Sequence, residues 1–202
     1  MNLRDFDKQY DFINLKLLAG IDEAGRGPLA GPVVAAAVIL PFDSEIIGLD
    51  DSKKLSEAKR NALFDIITKE AVSIGVGICD NKIIDEINIL QATFWAMKKA
   101  VEALNVKPGL LLIDGNKVIP DYNLSKQIDQ SAVVKGDSKS QVIAAASIIA
   151  KVTRDRIMEQ YGNEYQNYNF AKHKGYPTKA HYAEIAQNGL CDIHRRSFKC
   201  QV

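Results

Sequence analysis

Gly20-Ile21-Asp22-Glu23-Ala24-Gly25-Arg26-Gly27-Pro28 decides how the rest of this chain is read. An apolar stretch from Leu17 to Ile21 runs into two adjacent carboxylates and a Gly-Arg-Gly-Pro turn, and a second aliphatic stretch, Val33 to Leu40, follows. Glycine and proline bound both stretches, so they are expected as strands paired through the glycine-rich connection. Carboxylates at a strand end can hold hard cations, and glycines beside them let another molecule's backbone come close. A metal-dependent site for a phosphate-bearing substrate is the first expectation. One objection stands against it: neighbouring strand residues point to opposite faces, so Asp22 and Glu23 should not meet one ion in a regular strand. A twist or bulge supplied by the glycines would be required.

Working outward, Ser56 to Ala71 repeats Ala58, Ala62, Leu63, Ile66 and Ile67 at helical spacing, with Ser56 as N-cap. Val72 to Cys79 reads as a third strand and Asn88 to Leu104 as a helix ended by Asn105 and Pro108. Leu110 to Ile113 is a buried strand that delivers Asp114 at its end, and Ala132 to Val134 repeats the plan before Lys135-Gly136-Asp137. A long helix with an alanine-rich waist spans Lys139 to Gln160, and Pro177 and Thr178 open another that stops at Gly189. Strands alternating with helices predict an α/β domain. A single domain over residues 1–202 is expected, its core at about 17–160 and a small helical C-terminal lobe at about 161–202.

The chain has 202 residues, 47% of them hydrophobic, which is enough for a sizeable core. Its longest uncharged apolar runs fall short of the roughly 20 residues that span a bilayer, and the first residues lack a signal-peptide core. Three cysteines without a short-spaced framework suit a reducing, cytoplasmic setting. A zinc site from His181, Cys191, His194 and Cys200 matches no usual ligand spacing, and isolated thiols with surface histidines are expected instead. Net charge is only +1, yet residues 170–202 carry Lys172, Lys174, Lys179, Arg195, Arg196 and Lys199 against Glu184 and Asp192. A basic lobe facing an acidic site is one way to hold nucleic acid.

Asp22-Glu23, Asp114 and Asp137 each follow an apolar run, and strand ends in α/β sheets are where ligands sit. Carboxylates converging there would repel one another until cations neutralise them, and oxygen-only ligands favour Mg²⁺ or Mn²⁺. Each acid alone is explained as well by turn chemistry; three together are not. Asp155, four residues after Lys151, reads as half of a helix-surface pair, and His173 as a candidate proton shuttle.

The glycine-rich string resembles the signature of ribonuclease HII. Asp51-Ser52-Lys53-Lys54-Leu55-Ser56, Ile113-Asp114-Gly115-Asn116, Lys135-Gly136-Asp137-Ser138, Ala145 to Asp155 and His173-Lys174-Gly175-Tyr176-Pro177-Thr178 agree with that family in order. The resemblance covers about residues 17–198. It implies a ribonuclease H-like mixed sheet flanked by helices, and an endonuclease that cuts the RNA strand of RNA/DNA hybrids. It further implies nicking 5′ to a single ribonucleotide in duplex DNA, leaving 3′-hydroxyl and 5′-phosphate ends, for ribonucleotide removal. Two divalent ions, Mn²⁺ or Mg²⁺, would sit on Asp22, Glu23, Asp114 and Asp137. Gly25, Arg26 and Gly27 are similar to the loop that senses the 2′-hydroxyl, and Tyr176 to the aromatic residue that packs on the neighbouring sugar. Lys53, Lys54 and Lys151 look like phosphate contacts. Ribonuclease HIII resembles the same core but carries an additional N-terminal domain, which the 16 residues before the first strand are not expected to accommodate. A monomer without a sliding-clamp tail is expected.

Overall fold

The computed structural model describes residues 3–11, 17–120 and 128–200. Its core is a five-stranded mixed sheet built from β1 (Leu18–Ala24), β2 (Val33–Ile39), β3 (Ser73–Cys79), β4 (Leu110–Asp114) and β5 (Asp129–Val133). The strand order is β3-β2-β1-β4-β5. β2 pairs antiparallel with both β1 and β3, while β1, β4 and β5 run parallel. The α-helices are α1 (Leu3–Asp11), α2 (Glu57–Glu70), α3 (Asn81–Glu102), α4 (Gln141–Glu164), α5 (Phe170–His173) and α6 (Lys179–Asn188).

Strand alternation sorts the core into two layers. Leu18, Ala24, Ala36, Val38, Leu110 and Leu112 face the layer packed by α2 and α4. Ala19, Ile21, Val33, Ala35, Ala37, Ile39, Leu111 and Ile113 face α3. Every residue of β2 is buried, as a strand covered on both faces requires. At Gly20 a Cβ would lie 2.1 Å from the Val142 carbonyl carbon, so only glycine lets α4 sit directly on β1.

The expected caps are present: Ser56 accepts from Lys59 N and Thr178 from His181 N, while Gly189, at φ 79°, ends α6. The expected start at Asn88 marks a kink inside α3, where Asn88 has φ 67° and its side chain accepts from Leu90 N and Gln91 N. Asp80 caps the segment before it, which the sequence reading omitted together with α1 and α5. No described helix is long and apolar enough to cross a membrane.

The C-terminal lobe corrects one expectation outright. His173, His181 and His194 are buried, not at the surface. His173 stacks on His181 with ring centroids 4.3 Å apart, the His181 and His194 Nε2 atoms are 3.1 Å apart, and Cys191 Sγ lies 3.1 Å from His194 Nδ1. Phe170 packs edge-on against His173 and His181. Thus Tyr168 and Phe170, with Met158 and Ile193, form a small core that absorbs the histidines.

Candidate active site

β1 and β4 pair so that Ile21 lies opposite Ile113, which sets the next residues, Asp22 and Asp114, side by side at the carboxyl ends of adjacent parallel strands. Both share the face of Leu18 and Leu112, beneath α4. On the other side of β4, Asp114 pairs with Val133, and the chain leaving β5 makes the 3₁₀ turn Gly136–Ser138 that carries Asp137. Carboxylate oxygens of Asp22, Asp114 and Asp137 lie within 4.8 Å of one another. Among the described residues this is the one group of three or more His, Cys, Asp or Glu side chains placed to share an ion. Among the described residues His181, Cys191, His194 and Cys200 do not form such a group.

Backbone amides hold two of the acids: Glu23 N donates to Asp22 Oδ1 at 2.7 Å and Gly136 N to Asp114 Oδ1 at 2.7 Å. Burial, followed by the charges of Glu23 and Asp114, pushes the Asp22 carboxyl well above the ordinary carboxylate range. Burial also raises Asp137, with the charges of Asp114 and Asp51 adding to it. Such a cluster binds protons or cations to relieve its own repulsion, and hard oxygen donors fit Mg²⁺ or Mn²⁺.

Glu23 obeys the alternation that raised the sequence objection. Its side chain is on the parity of Ala19 and Ile21, away from the three converging acids, and Glu23 Oε1 accepts from Arg26 Nη1 at 3.2 Å. Burial raises the Glu23 carboxyl, Arg26 opposes that shift, and Asp114 adds to it, so Glu23 shares the electrostatics of the cluster while its side chain lies outside the group of three.

The lysines separate in the structure. Burial pulls the Lys53 ammonium down, but the charges of Asp22, Asp51, Asp137 and Asp114 together leave it above its usual value, so it lies within the field of the acid cluster. Lys54 is exposed and donates to Asp50 Oδ1 at 2.9 Å, with Ser138 Oγ at 3.4 Å. Lys151 pairs with Asp155 at 2.6 Å, but this pair is largely enclosed and not the helix-surface pair expected. His173 bonds Glu184 at 2.9 Å and accepts from Gly175 N, contacts that anchor the lobe.

At the end of β1, Gly25 has φ 99°, and a Cβ there would meet Arg154 Nε at 2.2 Å. Gly27 has no atom within 4 Å of its would-be Cβ. Tyr176 is partly exposed, with Lys151 Nζ 5.9 Å and Arg154 Cζ 5.7 Å from its ring centre. Leu29 N donates to Gly175 O at 2.8 Å, tying the glycine loop to the Tyr176 loop. Three residues passed over in the sequence complete the surroundings. Ser147 on α4 bonds Asp22, and its Oγ is hydrogen-bonded to Ser52 Oγ at 2.8 Å, which moors the loop carrying Lys53; Arg154 and Arg195 lie wholly buried behind the glycine loop. Ser147 and Arg154 fall inside a motif already recognised, but helix periodicity alone gives no sign of their partners.

The same fold is found in the crystal structure of ribonuclease H2 from Pyrococcus horikoshii OT3, with TM-score 0.75 and 30% identity, covering 91% of this chain and 94% of that one. Mixed sheet and converging acid triad together define a metal-dependent ribonuclease H. A family model described as Ribonuclease HII matches residues 19–201. The Ribonuclease HII of Geobacter sulfurreducens is 54% identical over 96% of this chain and 88% of its own length. The chain belongs to the ribonuclease HII family. A further solved relative, RNase HII of Archaeoglobus fulgidus in complex with PCNA, has TM-score 0.73 and 30% identity, covering 91% of this chain and 95% of that one. The expectation that this chain lacks a clamp partner finds no support there.

Proposed function

We propose that this ribonuclease H nicks duplex DNA 5′ to single embedded ribonucleotides, besides cutting the RNA strand of hybrids, and that it uses two divalent ions. The observation that carries this reading is the convergence of Asp22, Asp114 and Asp137 at the ends of β1, β4 and after β5. These three residues, with Glu23 beside them, would hold Mg²⁺ or Mn²⁺. When bound, such ions activate water and stabilise the leaving 3′-oxygen, so that the phosphate stays on the 5′ end of the product.

The protein's own groups do the rest. Lys53, within the field of the acids, draws the scissile phosphate in and offsets part of their charge. Lys54 and Lys151 are weaker phosphate contacts, because each already has a carboxylate partner. Only the 2′-hydroxyl marks a ribonucleotide, and the amides of the Gly25-Arg26-Gly27 loop read it by hydrogen bonding. Arg26, half exposed and paired with Glu23, links that loop to the acids. Tyr176 offers a flat apolar face to the adjoining deoxyribose. Acids, loop and tyrosine all come from one copy of the chain, which acts as a monomer in this reading.

The test is a nicking assay on two duplexes that differ by one 2′-hydroxyl, with and without chelator, and with the ends of the products identified. Expected is a single nick 5′ to the ribonucleotide that requires Mg²⁺ or Mn²⁺. Equal cutting of the all-DNA duplex, or cutting that persists in chelator, would overturn it.

A further inference from the structure

Behind the Gly25-Arg26-Gly27 loop lie two fully buried guanidinium groups, and among the described residues neither forms a salt bridge. Taking a charge out of water without a counter-ion is expensive unless hydrogen bonds replace the lost hydration. Here the acceptors are backbone carbonyls. Arg195 donates through Nη2 to Gly25 O at 2.6 Å, through Nη1 to Arg26 O at 3.0 Å and through Nε to Gly31 O at 3.0 Å. Arg154 donates through Nε to Pro32 O at 2.9 Å, through Nη2 to Ala30 O at 3.1 Å and through Nη1 to Lys174 O at 3.0 Å. Burial, and for Arg195 the neighbouring charge of Arg154, lowers the two groups to about 9 and about 10, so both stay charged at neutral pH.

The two arginines divide the loop. Arg154 holds its returning arm and the neighbouring Tyr176 loop, whereas Arg195 alone grips the two peptide groups at the tip. Carbonyl and N–H point in opposite directions across a trans peptide. A Gly25 carbonyl drawn inward therefore sends the Arg26 N–H outward, and an Arg26 carbonyl drawn inward sends the Gly27 N–H outward. Neither amide donates to another described residue. Arg195 is itself fixed: its N donates to Leu29 O at 2.8 Å, its guanidinium lies 5.0 Å from the Phe198 ring centre, and Asp85 on α3 accepts from Arg196 N and Ser197 N at 2.9 Å each.

We propose that Arg195 is the positioning residue of ribonucleotide recognition: by holding the carbonyls of Gly25 and Arg26 inward, it presents the amides of Arg26 and Gly27 as a preformed donor pair for the 2′-hydroxyl. This rests on the reading of the glycine loop as the sensor. A lysine keeps the charge and the stem but not the planar fork that spans two carbonyls at once. Arg195 therefore acts on discrimination between ribose and deoxyribose, and not on the ions or on general phosphate affinity.

The experiment compares Arg195→Lys and Arg195→Gln with the unmodified protein in three measurements: cleavage of a single-ribonucleotide duplex, affinity for the all-DNA duplex of the same sequence, and Mn²⁺ affinity by calorimetry. Thermal unfolding accompanies each. Expected is a fall of at least about tenfold in kcat/KM on the ribonucleotide, the size of one lost hydrogen bond, with the other two quantities within about twofold. Unchanged discrimination in a folded variant overturns the proposal. So does parallel loss of DNA and Mn²⁺ affinity, or failure of both variants to fold, since each makes Arg195 a general scaffold residue. Gly27→Val, placed in open space, is measured alongside. If it also leaves discrimination intact, the sensor reading itself fails; if it alone removes discrimination, only the role of Arg195 falls.

Discussion

At the strand ends three carboxylates approach within 4.8 Å of one another, while beneath the Gly25 to Pro32 loop two guanidinium groups enter the interior together. The arginines are met by six backbone carbonyls and need nothing from outside the chain. The acids receive a few amide and hydroxyl donors, far short of their capacity as acceptors, and burial with the charges of Glu23 and Asp114 pushes the Asp22 carboxyl well above its ordinary range. Charges completed internally serve the shape of the molecule, and charges left in mutual repulsion serve a ligand.

The contrast is most severely tested at Asp114. Asp114→Asn should lower the cleavage rate about a thousandfold or more, as removal of a member of a catalytic unit does. Its metal-free Tm should nevertheless hold steady or rise, because one repelling charge has gone; a rate near that of the unmodified protein would break the contrast. Arg154→Ala should behave in the opposite sense, losing about 3 kcal/mol, or roughly 6 to 12 °C in Tm, because three buried carbonyls lose their donors. Urea or thermal unfolding measures this. Saturating Mn²⁺ should then stabilise the unmodified protein by about 2.7 kcal/mol at one hundred times its Kd and leave Asp114→Asn almost unmoved.

The smallest effect is in the pH dependence, where the two parts of the molecule pull in opposite directions. Burial, with the charge of His181, lowers His194 from 6.5 to about 4, so its contribution is present above 6.5 and is lost as pH falls through that window. Between pH 7 and pH 5.5 this costs about 1 kcal/mol. Asp22 is raised, so its contribution is present below the usual carboxylate range and is lost as pH rises toward the elevated value. In metal-free protein Asp22→Asn should remove the opposing limb and leave a steeper loss of Tm on acidification. A slope that does not change would sever Asp22 from the titration.

Residues that face a layer or end a strand were legible beforehand, because alternation and turn chemistry are local. Val33 to Leu40 announced a strand, and Leu110 to Ile113 announced both a strand and the acid behind it. Asn88 is expected as a helix start and marks a kink within a longer helix, whose opening segment also carries Ile83, Ile84 and Ile87 at helical spacing. What stayed hidden depends on distant partners. Arg195 sits in a basic tail that looks solvated, and only the fold carries Gly25 and Arg26 to it. His181 and His194 misled for the same reason: Phe170 packs on His181 and Tyr168 on His194, contacts that no short window contains. Glu23 came out as alternation demands, and the twist expected of the glycines did not turn it onto the three acids.

The sheet order grades the security of the three acids. Asp22 rides on the central strand, Asp114 on the next, and Asp137 follows β5, which among the described residues is paired on one side only and is partly exposed along its length. Edge strands open more readily than central ones, so the third carboxylate is the first to leave its partners during local unfolding. Catalytic competence at rising temperature is then rationed by the fraying of a five-residue strand, well before the rest of the sheet gives way.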